Sequence, residues 1–244
     1  MDTKAIKKNL KKFGRSVWEL LKSSLPSTLM YCCAGTILLM LTVKEELNWT
    51  GKEVAWAVVC IVGGAAYNAL LAWAQGGTQY EMLVSGNVKR MSEAQFDGGY
   101  KMSTHKEVKE YRVWKGFVVG VFTAVLTIVF GILLGCNQAK IDSQDVKGGL
   151  SVILLLSFLL TGWSVVPLYL MNATGVAISY FVSCVFALIP IAVSGAFYIA
   201  GAYARRNKRL REQVIAQRAA EAEESKVKKI NYGGLPGTKP KKRK

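Results

Sequence analysis

The sequence lacks charge where it is richest in apolar residues: the stretch 148–204 contains no Asp, Glu, Lys, Arg or His. An apolar strand or helix in a soluble core ends within about a dozen residues, whereas one membrane crossing needs about twenty. This stretch is long enough for two crossings, and its lack of charge excludes a soluble domain. We therefore expect an integral membrane protein.

Charged residues are also missing from three earlier apolar stretches, so the chain contains five windows of membrane-spanning length. Their limits are about 25–43, 54–74, 116–136, 149–171 and 176–203. A helix pairs its own backbone groups inside hydrocarbon, and the roughly ten-residue alternating strands of a membrane β-barrel are absent. The sequence predicts an all-α integral membrane protein, a bundle of about five transmembrane helices over residues 25–203 with a cytoplasmic loop at 75–115.

Motifs for catalysis and for metal binding are lacking as well. The five cysteines fall in or beside the apolar windows without the spacing of metal ligands, so we expect them to fill helix contacts as small apolar residues. No phosphate-binding loop, zinc motif or nucleophile elbow occurs. No window holds an Asp, Glu, Lys, Arg or His, which disfavours a proton-coupled carrier. The sequence therefore predicts no enzyme and no bound cofactor or metal.

Basic residues are abundant at both ends of this chain, whose formal net charge is +16. In residues 1–24 apolar side chains recur every three or four positions, as on an amphipathic helix lying in the membrane interface. The basic side chains between them are expected to contact anionic lipids: Lys7, Lys8, Lys11, Lys12 and Arg15. Pro26 predicts a break between this helix and the first span.

The tail, residues 204–244, is basic too. Its Ala-, Glu- and Arg-rich first part predicts a helix that continues from the last span, and its composition from about 231 predicts disorder. Basic residues beside the last span are further candidates for contact with anionic lipids: Arg205, Arg206, Lys208 and Arg209.

The distribution of Lys and Arg conflicts with five crossings. Near span ends these residues mark the cytoplasmic side, and they are concentrated in the N-terminal segment, the loop 75–115 and the tail. Five crossings would put the N-terminus and the tail on opposite sides. Either the tail departs from the charge rule, or 148–204 crosses three times, for which it is barely long enough, or one arm enters the membrane and returns, turning at 163–167 or 172–175.

A returning arm would indicate a site, because irregular backbone survives at membrane depth only where protein buries it or water reaches it. The candidates for an intramembrane polar site are Asn68, Trp163, Pro167, Asn172 and Thr174. Asn68 is the one Asn, Gln or charged residue deep in the first three windows, which predicts either an interhelical hydrogen bond or a polar point on a solute path.

Small residues at four-residue spacing predict close helix contacts in two spans. They are Gly116, Gly120, Gly131 and Gly135 in the third span and Ala192, Ala196 and Ala200 in the last. Gly76 and Gly77, in contrast, predict a break after the second span.

Three functions remain open for such a chain. The first is a non-enzymatic membrane bundle whose basic flanks bind anionic lipids; the second is a small-solute transporter or channel-type subunit with a site near 163–175; the third is a tether whose tail recruits an acidic partner or RNA. The expected partners are the lipid bilayer and anionic lipids, then a second copy or another membrane protein; nucleic acid enters only with the third function. We expect a bacterial plasma membrane; in a eukaryote the lysine-rich end would indicate the endoplasmic reticulum.

Overall fold

The computed structural model describes residues 3–42, 51–85, 111–143 and 146–232. Helices account for nearly all of these residues, and none of them is in a β-strand. The helices are α1 (Thr3–Thr42), α2 (Gly51–Ser85), α3 (Trp114–Cys136), α4 (Gln138–Asp142), α5 (Gly149–Ala173), α6 (Val182–Phe186) and α7 (Leu188–Tyr232). The predicted all-α class is confirmed.

Five of these helices, α1, α2, α3, α5 and α7, are long and apolar enough to cross a membrane. Large apolar side chains on their outward faces are exposed, for example Met40, Val59, Leu70 and Leu155. Such faces are expected where the surrounding solvent is lipid. The prediction of an all-α membrane bundle with about five such helices is confirmed, and the protein is a multi-pass membrane protein.

The chain divides into two compact units, Met1–Ala202 and Tyr203–Lys244. The first unit is the bundle. In the second, α7 continues to Tyr232, and Lys208 forms an ion pair with Glu212 at 3.9 Å, one helical turn further on. The disorder predicted from about 231 falls on residues outside those the structure describes, apart from the last two helical positions.

The break predicted at Pro26 is wrong, because α1 is one continuous helix through this proline. A proline has no N–H and leaves a carbonyl one turn earlier without its helical partner. Nearby side chains supply other hydrogen bonds: the Ser24 hydroxyl donates to the Leu21 carbonyl, and Gln75 of α2 donates to the Ser23 carbonyl at 3.3 Å. The carbonyl that Pro26 leaves without its helical donor is that of Lys22, and these two bonds are made to the carbonyls on either side of it.

The break predicted after the second span is also wrong. α2 continues through Gly76 and Gly77 to Ser85, so the first part of the predicted loop is helical. A Cβ on Gly76 would overlap the carbonyl oxygen of Tyr198 on α7. The missing side chain therefore serves close helix packing rather than a turn. The rest of that loop as far as 110 lies outside the described residues.

The direction of each crossing helix follows from its contacts. Between α1 and α2 the contacts join Ser23 to Gln75, Ser27 to Asn68 and Tyr31 to Gly64, so these helices are antiparallel. Between α2 and α7 the contacts join Asn68 to Ser194 and Trp73 to Gly201, so these helices are parallel. We call the end of the bundle that holds Ser23, Gln75 and Gly201 the basal end.

The glycines of α3 confirm the close contacts predicted for this span. Going along α3, the contacts join Gly116 to Tyr198, Gly120 to Ile191, Gly131 to Cys184 and Gly135 to Phe181. The partner numbers fall as the α3 numbers rise, so α3 and the segment from Phe181 into α7 are antiparallel. This segment therefore starts where α3 ends, and Gln138 donates there to the Ile178 carbonyl at 3.1 Å. We call this end the apical end.

α5 does not cross the bundle, although it is long enough to do so. It starts at the apical end, where Leu150 packs in one apolar cluster with Ile141 and Tyr180. It also ends there, because Asn172 lines a cavity together with Ile141 and Asp142. The helix must therefore fold back.

The fold-back is visible within α5 itself. The rings of Phe158 and Tyr169 lie 5.2 Å apart between centroids, whereas a straight helix would separate these positions by about 16 Å along its axis. The backbone leaves helical geometry at Thr161, with φ −130° and ψ 18°. α5 is thus a helical hairpin whose turn is at Thr161 and Gly162. We call residues 149–160 the first arm and residues 163–173 the second arm.

The hairpin resolves the conflict between charge and topology. With α5 folded back, α1, α2, α3 and α7 are the helices that cross, and the chain enters and leaves the bundle at the basal end. Of the three explanations considered for the charge distribution, this geometry corresponds to the arm that enters the membrane and returns. Its turn lies just before the predicted turning points at 163–167 and 172–175.

The alanine face of α7 makes no close contact within the described bundle. Ala192, Ala196 and Ala200 are exposed. α7 packs instead through Gly195 and Gly201, which are buried. A glycine lets a neighbouring backbone approach more closely than an alanine does, so the glycine face turns inward.

Candidate functional site

The hairpin turn is buried in the middle of the bundle. Thr161 has no exposed surface. Gly162 lies against Gly35 of α1, and a Cβ on Gly35 would come within 2.8 Å of the backbone nitrogen of Trp163. Two glycines therefore allow the turn to touch the α1 backbone.

Side-chain groups donate hydrogen bonds to backbone carbonyls at the turn. The Leu160 carbonyl accepts a hydrogen bond from the Cys32 thiol of α1 at 3.2 Å, and the Thr161 hydroxyl donates to the Ser157 carbonyl at 2.8 Å. In hydrocarbon an unpaired backbone group costs several kcal/mol. Cys32 thus has a structural role in addition to the packing role that its position predicts.

The second arm is enclosed on all sides near the turn. Trp163 lies 4.7 Å from the ring of Tyr31 and 6.2 Å from that of Phe186, measured between centroids. The hydroxyls of Ser164 and Ser183 share a hydrogen bond of 3.0 Å, and both side chains are fully buried. The second arm is therefore the central element of the apical half, while much of the first arm is exposed on the bundle surface.

Asn68 is the centre of a separate polar group. Its Oδ1 accepts hydrogen bonds from Ser27 at 2.9 Å and from Ser194 at 3.0 Å, and its Nδ2 donates to the Pro190 carbonyl at 3.3 Å. These bonds join α1, α2 and α7. The interhelical hydrogen bond, one of the two roles predicted for Asn68, is therefore present.

Tyr31 lies between the Asn68 group and the hairpin. Its ring packs on Gly64, one helical turn from Asn68, and against Trp163. Its hydroxyl is buried and has no hydrogen-bond partner among the described residues. The two aromatic rings thus fill the space between the two polar regions.

A cavity of about 500 Å³ opens at the apical end, beside the end of the second arm. Gly175, with φ +87°, terminates α5 there, and the Val176 N–H bonds back to the Met171 carbonyl. Asn172 Oδ1 accepts the Ile178 N–H at 2.7 Å, which fixes the amide orientation because the backbone N–H can only donate.

Tyr180 forms part of the same cavity wall. Burial raises the pKa of the Tyr180 phenol, an effect that the neighbouring Asn172 amide partly offsets. The phenol therefore stays protonated at neutral pH, and the cavity wall contains no charge from this residue.

The predicted site residues fall in four places. Trp163 and Pro167 are buried in the second arm, Asn172 lines the apical cavity, and Asn68 is in its own polar group. Thr174 is exposed, and its hydroxyl donates to the carbonyl of its own helix one turn earlier. Within the described residues no hydrogen bond joins any two of these five.

Several residues of this region were not predicted: Tyr31, Cys32, Gly35, Thr161, Gly162, Asp142 and Tyr180. Two glycines were the signal that the sequence offered: Gly35 is the one glycine of the window 25–43, and Gly162 is the one glycine of the window 149–171 apart from its first residue. Nothing in the sequence pairs one with the other.

The candidate lipid contacts are placed only in part. The side chains of Lys7, Lys8, Lys11, Lys12 and Arg15 lie outside the described ones, although their backbone belongs to α1. On the same helix Leu10 and Phe13 are exposed, and Lys22 Nζ lies 5.5 Å from the centroid of the Trp18 ring. In the second unit Arg206 and Lys208 are exposed, and Arg205 and Arg209 are partly exposed.

No protein-family model, curated protein or solved structure matches this chain. In the parts of the chain that the structure describes, no three His, Cys, Asp or Glu side chains are grouped as a metal ion would require. The functional argument therefore rests on the geometry of the bundle.

Proposed function

We propose that the protein is a small-solute transporter or channel-type subunit whose path runs beside the hairpin turn. The observation that carries the proposal is that α5 starts and ends at the apical end and breaks its helix in the middle of the bundle. A discontinuous helix at membrane depth is tolerated where it is buried or lines a cavity, and in transporters such helices form the binding site.

Polar groups on both sides of the turn support this proposal. The Ser164 and Ser183 hydroxyls and the apical cavity lie on one side, and the Asn68 group lies on the other. The Asn68 group and the Ser164 and Ser183 hydroxyls carry no charge, which favours a small uncharged polar solute over an ion. For such a solute to pass, the rings of Tyr31 and Trp163 must separate.

Two adjacent cysteines test the path. Cys32 donates to the turn and is half-buried, whereas Cys33 is exposed on the outer surface of α1. We would compare variants that retain only one of them, with the other cysteines replaced by serine, in liposomes treated with aminoethyl methanethiosulfonate. A path that reaches the turn predicts modification of Cys32 from water and little modification of Cys33.

The same liposomes give a functional measurement. Swelling in glycerol and in urea, followed by stopped-flow light scattering, should fall after modification in the Cys32 variant and should not change in the Cys33 variant. If Cys32 reacts no faster than Cys33, no water-filled path reaches the turn and the proposal fails.

A second function, binding of anionic lipids by the basic flanks, is favoured by the orientation of the bundle. The bundle begins and ends at the basal end, which also carries the end of α2. The three basic stretches of the sequence then all join the bundle at one side. By the charge rule this side is cytoplasmic, and we propose the bacterial plasma membrane as the location. Each basic residue near an anionic surface contributes about 1 kcal/mol.

Replacement of Arg205, Arg206, Lys208 and Arg209 by glutamine tests this second function. Phosphatidylglycerol that co-purifies with the full chain, measured by mass spectrometry at increasing salt, should decrease. Replacement of Lys140, which lies in α4 at the apical end, by glutamine is the control and should have no effect. Equal lipid retention in both variants would count against lipid binding at the tail. The third function, a tether, stays a prediction.

A further inference from the structure

The apical cavity has a chemistry that the proposed solute path does not use. Its wall includes the carboxylate of Asp142, the rings of Tyr169 and Tyr180, and the C-terminal end of α5. We propose that this cavity binds the ammonium group of a small organic cation. The proposal does not depend on transport, because the cavity is open at the apical end while the bundle beneath it is closed.

The charge of the cavity favours a cation. Within the part of the chain that the structure describes, Asp142 makes no ion pair, and none of the described residues that line the cavity is Lys, Arg or His. The C-terminus of a helix carries a partial negative charge, because its last carbonyls have no helical partner. α5 ends at Ala173 in this wall, so its dipole adds to the negative potential of the carboxylate.

The aromatic rings favour an ammonium rather than a metal ion. A cation over the face of a tyrosine is attracted by the quadrupole of the ring. Tyr180 is almost fully buried, and Tyr169 is fixed by edge-to-face contact with Phe158. A cavity of about 500 Å³ is also far larger than a bare ion needs, whereas it accommodates a methylated or hydroxylated amine.

Two sources share this chemistry. One is a free amine that reaches the apical side from water, and the other is the ethanolamine or choline headgroup of a neighbouring lipid. The second source is available because the cavity lies at the end of apolar helices, where headgroups are expected. The experiment must therefore control the lipid composition.

The test uses the full chain in nanodiscs made only of phosphatidylglycerol, which has no amine. Titration with tetramethylammonium chloride and with ethanolamine, followed by calorimetry against a sodium chloride control, should show saturable binding. Asp142→Asn should weaken this binding at least tenfold, and Tyr169→Leu should weaken it several-fold. Glu221→Gln removes a carboxylate from the second unit and should leave binding unchanged.

Repetition in nanodiscs that contain phosphatidylethanolamine separates the two sources. Loss of the calorimetric signal there would mean that the lipid headgroup already occupies the cavity, and an unchanged signal would identify a free amine as the ligand. Absence of saturable binding in phosphatidylglycerol nanodiscs, or equal binding by the wild type and by a folded Asp142→Asn variant, would overturn the proposal. Neither result bears on the cysteine test of the solute path.

Discussion

The basal and apical halves of the bundle are built differently, although both consist of apolar helices. In the basal half α2 and α7 cross backbone to backbone at Gly76 and Gly201, and the Asn68 amide is bonded by three partners. In the apical half a hairpin replaces one crossing. Two buried side-chain polar atoms have no partner among the described residues: the Tyr31 hydroxyl, on a side chain that packs against the hairpin, and Nδ2 of Asn172, near the end of its second arm.

This difference separates a part that holds the helices together from a part that has room to change. Close glycine crossings and saturated hydrogen bonds leave few alternative arrangements, because any shift causes a clash or loses a bond. Unpaired polar atoms and an open cavity leave alternatives of similar energy. We therefore expect stability to depend mainly on the basal half and the proposed solute path to depend on the apical half.

The glycine crossing should give the largest effect on stability. Gly201→Val puts a branched side chain into the carbonyl of Trp73 and forces the two helices apart. We expect a loss of about 3 kcal/mol, the upper range for overpacking, measured as unfolding in mixed detergent. Gly63→Val is the matched control, because a Cβ on Gly63 meets no atom within 4 Å. Equal losses in both variants would show that the crossing is not closely packed.

Removal of either buried side-chain amide should lower stability by less than the glycine substitution does, and the two losses should differ. Asn68→Ala leaves two hydroxyls and one carbonyl without their partner, whereas Asn172→Ala leaves the Ile178 N–H. We expect a loss of about 2 kcal/mol for the first variant and about 1 kcal/mol for the second. The same unfolding assay measures both. A larger loss for Asn172→Ala would contradict the assignment of stability to the basal half.

The hydrogen bond from Cys32 to the hairpin turn should contribute less to stability than the Asn68 amide does. Cys32→Ala removes the donor to the Leu160 carbonyl and leaves the packing nearly unchanged. We expect a loss of about 1 kcal/mol or less, with faster hydrogen exchange of the amides around Thr161 than in the wild type. Cys33→Ala is the control, and its exchange pattern should match the wild type. Exchange unchanged in both variants would mean that the thiol does not support the turn.

The smallest effect is expected at Tyr31. Tyr31→Phe removes a buried hydroxyl that has no partner among the described residues and keeps the ring against Trp163. Because no hydrogen bond is lost, we expect stability to change by less than about 0.5 kcal/mol or to rise slightly. Solute flux through the proposed path should change, since Tyr31 is one of the two rings that the solute must pass. A loss of stability above about 1 kcal/mol, the contribution of a typical hydrogen bond, would reveal a partner for this hydroxyl.

The positions of the long helices were predictable because lipid imposes a simple rule: a charge-free apolar window of about twenty residues forms a helix. The contacts at Gly116, Gly120, Gly131 and Gly135 were also predictable, since glycine spacing along one helix is visible in the sequence. The returning arm was one of three alternatives, and the basic residues favoured it only if the charge rule also held for the tail.

Other features depend on contacts between helices and were not visible. Gln75 of another helix donates to the Ser23 carbonyl near Pro26, and Gly35 of α1 leaves room for the hairpin turn at Gly162. One predicted turning point was placed at 163–167 because Trp163 and Pro167 interrupt the apolar pattern of the helix. In the structure both residues are buried core residues of the second arm. A pattern along one helix does not specify which partner it meets.

The central claim is that α5 enters and leaves at one side of the membrane, and cysteine labelling tests it most directly. Single cysteines at Ser143 and Thr174, both exposed and on either side of α5, would be labelled in sealed vesicles with a membrane-impermeant maleimide, with a cysteine at Ala219 as the reference for the tail. The account predicts that Cys at 143 and Cys at 174 react from the same side and Cys at 219 from the other. Reaction of positions 143 and 174 from opposite sides would show that α5 crosses the membrane and would contradict the account.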